Sequence, residues 1–239
     1  MIDPARMEEL WDAKYADSDQ VWSGEPNGVL VQEASDMWPG TVLDVGCGEG
    51  ADAIWLADHG WTVTALDVSN VGLERARTAA AAAGVTVEWL HAGLLDAELP
   101  ATGFDVVVAL YPALLRTPDH AAEAALLDAV KPGGTLLFVH HDIFGSQPSR
   151  GQHPTGPAGE GHSHGPGSAG HHGGPGQHGG GGGGGLSPSD MVGVEDMKTF
   201  LTDNDAWQIE THEARDRDVQ QGAGAHFTRD LVFKARRLH

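Results

Sequence analysis

The stretch Val42-Leu43-Asp44-Val45-Gly46-Cys47-Gly48-Glu49-Gly50 carries glycine at alternate positions just after an apolar run and just before a helical one. Glycine lets the backbone turn tightly and approach a ligand with no side chain in the way. The helix behind the turn offers free N–H groups. Asp67 closes the next apolar run. In an open α/β sheet that position lies beside the glycine turn, where a carboxylate accepts hydrogen bonds from both ribose hydroxyls of an adenosine. A second set of reactive side chains ends two later apolar runs: Tyr111 after one, His140, His141 and Asp142 after the other. Ligands of open sheets sit beyond the carboxyl ends of the strands, so both sets face one site. His141 is the candidate base or orienting group, with Tyr111 second, because an imidazole exchanges protons near neutral pH. Successive strand residues face opposite ways, so one of His140 and His141 packs inward. Cys47 is the single cysteine and fills the variable position between two glycines. It reads as a small packed residue, since nothing adjacent would lower its pKa.

These residues need strands that end together. Short apolar runs at residues 41–45, 61–66, 85–90, 104–110 and 135–140 read as strands. The run at 104–110 is apolar almost throughout, as a strand buried on both faces is. Between them, residues 51–59, 71–83 and 119–130 read as helices. Gly84 stops the second, and Lys131-Pro132-Gly133-Gly134 stops the third. Alternation of this kind gives a parallel sheet with helices on both faces. Residues 194–201 read as a further helix, and 207–214 and 227–236 as two strands able to pair antiparallel at one end of the sheet.

Dinucleotide sites use G-x-G-x-x-G, with the pyrophosphate on the helix N-terminus. Here the spacing is Gly46-Cys47-Gly48-Glu49-Gly50, and Glu49 would repel a pyrophosphate. S-adenosylmethionine (SAM) carries no phosphate and bears a sulfonium and an ammonium, which Asp44 and Glu49 suit. Leu43 to Gly50 with Asp67, together with Lys131-Pro132-Gly133-Gly134, resembles the signature of the class I SAM-dependent methyltransferases. Trp11-Asp12-Ala13-Lys14-Tyr15 and Trp22-Ser23-Gly24-Glu25-Pro26-Asn27 are similar to the entry segment of their small-molecule branch, which includes tellurite-resistance-type and thiopurine-type enzymes.

The resemblance implies a Rossmann-like α/β fold, seven-stranded and mostly parallel, with a C-terminal antiparallel hairpin. It makes residues 1–239 a single methyltransferase domain. It implies that Gly46 and Gly48 line the methionine part of SAM and that Asp44 orders the loop. Asp67 holds the ribose, and Val68, Gly93 and Leu94 flank the adenine. Ala109 and Leu110 lie under the sulfonium, and Tyr15 and Trp22 form a lid. Many relatives carry aspartate where Gly93 stands, so backbone N–H groups of Gly93 and Leu94 are expected to replace that contact. The implied reaction is an in-line methyl transfer to a small-molecule acceptor: a thiol, a chalcogen anion or a heterocycle. With one cysteine, arsenite, which needs several thiols to hold it, is disfavoured as an acceptor. Trp11, Tyr15 and Trp22 also fit a bland role as core anchors of an N-terminal helix.

Residues 146–189 are low in complexity, rich in glycine and nearly devoid of apolar side chains, which predicts a disordered insertion within the domain. It holds His153, His162, His164, His171, His172 and His178. Imidazoles at these spacings can chelate Ni²⁺, Cu²⁺ or Zn²⁺. A metal-binding protein on an inactive methyltransferase scaffold is therefore the alternative. A nicotinamide-dependent oxidoreductase is disfavoured by the glycine spacing. With 14 Lys and Arg against 34 Asp and Glu, the net charge is −20. Such a surface repels nucleic-acid phosphates and anionic lipid. No signal peptide or membrane span is evident, and one cysteine asks for no oxidising compartment, so a cytoplasmic protein is expected. Nothing in the sequence specifies an oligomeric state.

Overall fold

The computed structural model describes residues 4–143, 187–219 and 221–239. Two helices open the chain, α1 (Pro4–Ala16) and α2 (Gly28–Ala34). The alternating part follows: β1 (Thr41–Val45), α3 (Ala51–Asp58), β2 (Thr62–Asp67), α4 (Asn70–Ala83), β3 (Glu88–His91), β4 (Phe104–Leu110), α5 (Ala121–Asp128) and β5 (Val130–His141). After a 3-10 turn at Pro188–Asp190 come α6 (Val194–Leu201), β6 (Trp207–Asp216) and β7 (Arg229–Arg237). The strands form one sheet in the order β3-β2-β1-β4-β5-β7-β6. The pairings from β3 to β5 are parallel, and β7 runs antiparallel to both β5 and β6. This is the Rossmann-like seven-stranded arrangement with the reversed C-terminal hairpin.

The period of two along each strand divides the core into two layers. Leu43, Val45, Val107, Leu136, Phe138 and Phe233 face α5 and α6. Val42, Val106, Val108, Leu137, Val139 and Val232 face α2 and α3. Parallel strands covered on both faces need continuous apolar runs, which is why β4 has almost no polar residue. Both sheet faces are thus closed by helices, and the open edge of the layers lies at the carboxyl ends of the strands.

Some expected boundaries move, each for a local reason. The third strand begins at Glu88 rather than residue 85. Gly84 takes the left-handed conformation at the end of α4, and the Val85 N–H donates to Ala80 O, so Val85 belongs to the helix cap. Helix α5 spans Ala121–Asp128 instead of 119–130. His120 is left-handed at its start, and Ala129 O already accepts from Phe104 N at its end. Lys131 to Gly134 lies inside β5 as a bulge, with Val130 opposite Phe104 and Thr135 opposite Val106. The segment expected to be irregular through residue 189 is described from residue 187, and the 3-10 turn follows at Pro188–Asp190. Met191 then bridges to Leu115, and Val192 N donates to Leu114 O, which ties this return to the loop after β4.

Gly50 marks where the chain turns from the loop into α3. Its φ is +83°, and a Cβ there would lie 2.7 Å from Ala76 Cβ and 2.9 Å from Trp89 Cη2. Gly50→Ala should therefore lower stability by about 2–4 kcal/mol, from left-handed strain plus overpacking against α4. A thermal melt should show a drop of several degrees, and an unchanged melting point would count against this packing.

Candidate functional site

The loop after β1 turns under the end of β2: Gly46 N and Cys47 N both donate to Leu66 O, at 2.9 and 3.0 Å. This places Gly48 against Asp67. Gly48 N donates to Asp67 Oδ2 at 2.8 Å, and Ser69 N donates to Asp67 Oδ1 at 2.8 Å. Burial raises the Asp67 carboxyl, while these two bonds pull it back. Each carboxylate oxygen keeps further acceptor capacity for a ligand hydroxyl.

A cavity of about 590 Å³ extends from Asp67, Val68 and Gly93 to His141 and Asp230 across the carboxyl ends of the strands. Gly46, Gly48, Leu94, Tyr15, Trp22 and Tyr111 also line it. Two expected residues stand behind the wall. Ala109 is fully buried among the core residues, and Leu110 provides the cavity surface there. Asp44 is buried beneath the loop, where its Oδ2 has no hydrogen-bond partner among the described residues. Desolvation, then the neighbouring Asp52 and Asp67, push its carboxyl well up. Asp52 lines the cavity, accepts from Asn27 N at 2.6 Å and is raised by burial to about 6. Three clustered acids, one with an orphaned buried oxygen, suit a ligand bearing positive charge. The residues present therefore fit a cationic adenosine ligand.

Asp96 was not anticipated. It lines the cavity, and its Oδ2 stands 3.4 Å from where a Cβ on Gly93 would be. A carboxylate thus stands beside Gly93, from three residues along the turn. The signal was an acid close after an unexpected glycine, but a turn must be seen folded to show that its side chain returns.

Glu49 lines the cavity, as its place in the loop implies, and its carboxylate is also engaged by neighbours. It accepts from Val21 N and Trp22 N and pairs with Arg75 at 2.8 Å. Arg75 also donates to Tyr15 O and Ser18 O, each at 2.6 Å. Asp12 accepts from Ser69 Oγ and Val71 N at the start of α4. The glycine loop and α4 together thus clasp α1 and the turn after it. Trp22 Nε1 donates to Tyr15 Oη at 2.9 Å, and that hydroxyl would meet a Cβ on Gly48 at 2.6 Å. Only glycine leaves Tyr15 this close to the loop. Lys14 lies between the rings of Trp11 and Trp22, at 4.4 and 4.6 Å, a cation–π clamp on the same segment.

At the other end, the two histidines part as strand alternation requires. His140 is the inward one: burial first, then the neighbouring His141, pushes its imidazole down to about 4, so it is neutral at pH 7. His141 lines the cavity, with its ring stacked at 4.0 Å on Tyr111 and at 4.3 Å on Phe227. Tyr111 holds a left-handed backbone, φ +53°, fixed by its N–H to Val139 O at 2.8 Å. Its hydroxyl donates to Asp230 Oδ2 at 2.8 Å and accepts from Arg217 Nε at 3.1 Å. Burial, then Asp230, raises its phenol, so it remains a neutral donor. Cys47 is likewise raised by burial and by Asp44 and Asp67, which makes it a poor nucleophile.

His153, His162, His164, His171, His172 and His178 lie outside the described residues. Among the described residues, no group of three or more His, Cys, Asp or Glu is arranged to hold a metal, and no helix is long and apolar enough to cross a membrane.

Residues 42–134 match a family model described as a methyltransferase domain. An uncharacterized methyltransferase of Mycobacterium bovis is 41% identical over 123 residues, 51% of this chain and 61% of that protein. The chain thus spans less than two thirds of that curated relative. A ubiquinone biosynthesis O-methyltransferase of Escherichia coli is 33% identical over 112 residues, 46% of this chain and 47% of that protein. In fold, the chain is similar to the N-methyltransferase NodS of Bradyrhizobium japonicum in complex with S-adenosyl-L-homocysteine. The TM-score is 0.64 at 17% identity, covering 98% of this chain and 99% of that one.

Proposed function

We propose that this chain is a class I SAM-dependent methyltransferase that binds SAM between Asp67 and Tyr111 and methylates a small-molecule acceptor at the His141 end. The observation that carries this reading is the single cavity joining an adenosine-type acid, a glycine loop over buried carboxylates and a histidine–tyrosine pair. Asp67 holds the ribose. Val68, Gly93, Leu94 and Asp96 surround the adenine. Gly46 and Gly48 cradle the methionine part above Asp44 and Asp52, and Tyr15 and Trp22 close over it.

SAM supplies an activated methyl group. The protein's part is to align an acceptor, exclude water and take a proton where the acceptor has one. The clasp of Glu49 and Arg75 holds the lid shut over the cofactor. His141 is the base and Tyr111 its stacking support. Residues 1–239 act as one domain with the segment 146–189 inserted. The six histidines of that segment chelate a divalent transition metal, which their spacing supports. The acidic surface favours a small molecule over nucleic acid, and the single cysteine is consistent with a cytoplasmic setting.

The reading is tested by incubating the protein with SAM and a panel of thiols, selenide, phenols and nitrogen heterocycles, following S-adenosylhomocysteine by mass spectrometry. Acceptor-dependent product is expected. Product no higher than in acceptor-free controls across the panel would contradict it.

Affinity for SAM should also depend on pH through Asp52. Bound positive charge favours the ionised carboxylate, so binding is full above the Asp52 pKa of about 6 and weakens as pH falls through it. At one unit below, about a tenth of the carboxyl is ionised, and the dissociation constant should rise roughly tenfold. Calorimetry at about pH 7 and pH 5 reads this directly, and equal affinities would remove Asp52 from the site.

A further inference from the structure

The strand pairing sets Asp230 directly across from His141, at the end of the β5–β7 ladder. Asp230 is 3% exposed, and its two oxygens serve different partners: Oδ1 lies 3.3 Å from His141 Nδ1, and Oδ2 accepts the Tyr111 hydroxyl. The stacking of His141 between Tyr111 and Phe227 holds the ring in the plane of that contact. A buried carboxylate beside Nδ1 draws the proton to that nitrogen and leaves the lone pair on Nε2. Nε2 lies beside the Gly224 backbone, where a side chain would crowd it at 3.0 Å, and the His141 ring lines the cavity with 16% of its side chain exposed.

The two arginines that line this end of the cavity are already matched. Arg217 directs Nε to Tyr111 and Nη1 to Gly224 O, and lies 3.7 Å from Asp230. Arg215 pairs with Glu33 and Glu213, each at 2.7 Å. An anionic acceptor such as a thiolate or a chalcogen anion would meet Asp230 with neither arginine unmatched, and it would have no proton for His141 to take.

Resting on the methyltransferase reading above, we infer that Asp230 is the positioning residue that fixes His141 as a base, and that the acceptor enters uncharged with a proton on its reacting atom, as a hydroxyl or a ring N–H. A lone pair of that atom forms the bond to the methyl carbon as the carbon–sulfur bond breaks, and the electron pair stays on sulfur, leaving a neutral thioether. The acceptor's proton passes to His141 Nε2. The imidazolium is held by Asp230 until it releases the proton to water.

The test is a nitrogen-15 spectrum of histidine-labelled full-length protein at alkaline pH, with the His141 signals assigned by His141→Gln. The expected neutral tautomer has the proton on Nδ1; a proton on Nε2 would overturn the inference. Asp230→Asn should invert the tautomer. The Tyr111 hydroxyl needs an acceptor, so the new amide turns its oxygen to Tyr111 and its N–H₂ to His141 Nδ1. An unchanged tautomer in this variant would remove Asp230 from the role, and if the variant fails to fold, the wild-type tautomer decides. The SAM dissociation constant should stay within about twofold in Asp230→Asn, since Asp230 lies at the acceptor end. A wild type that holds the Nδ1–H tautomer but binds no SAM would refute the methyltransferase reading and leave the pairing standing.

Discussion

Asp67→Ala should weaken SAM binding by about 10²–10⁴-fold. The carboxylate stands at the end of β2 and is 7% exposed, with one backbone N–H on each oxygen. Those bonds fix its plane, so the remaining lone pairs meet a diol without further ordering of the side chain. Hydrogen bonds to a charged group are worth about 1.5–3 kcal/mol each. Losing two therefore spans this range, since about 1.4 kcal/mol is tenfold. The alanine also leaves Gly48 N and Ser69 N without their acceptor, which loosens the glycine loop in the same direction. Calorimetry beside a circular dichroism check reads the result. An affinity within threefold of wild type in a folded variant would place the ribose elsewhere.

His141→Gln should lower turnover by about 10²–10⁴-fold, the usual worth of a positioned general base. Glutamine keeps a polar side chain of similar reach beside Tyr111 and Asp230 but cannot take a proton. Because His141 lies at the opposite end of the cavity from Asp67, SAM affinity should change by less than about twofold. Initial rates at saturating SAM, with an acceptor identified from the panel, separate the two effects. A rate within a few-fold of wild type would show that transfer needs no base, as expected of a thiolate acceptor.

Much of the scaffold is written locally. The runs at Thr41–Val45, Phe104–Leu110 and Val194–Leu201 coincide with β1, β4 and α6. Each is bounded by its own signals: glycine after β1, an unbroken apolar run in β4, and an amphipathic period in α6. The placement of the glycines beside Asp67, where we propose the cofactor binds, is legible for the same reason, since two neighbouring strand ends set it. The acceptor end is not. Asp230 meets His141 through the register of β5 against β7, and a shift of one residue would point it to the other face. Nothing around Asp230 in the sequence encodes that register. Glu49 illustrates the reverse case: it is conspicuous in the motif, yet its charge is taken up by Arg75 from α4, a pairing that appears only once α3 and α4 lie side by side. The shortened start of β3 belongs here too, because Val85 serves the cap of α4 before it can serve a strand.

The cavity over Gly46, Gly48 and Asp67 is the proposed SAM site. Calorimetric titration of SAM into the wild-type protein at neutral pH tests it most directly. One site per chain is expected, with a dissociation constant on the order of micromolar. No heat of binding from protein shown to be folded would contradict it.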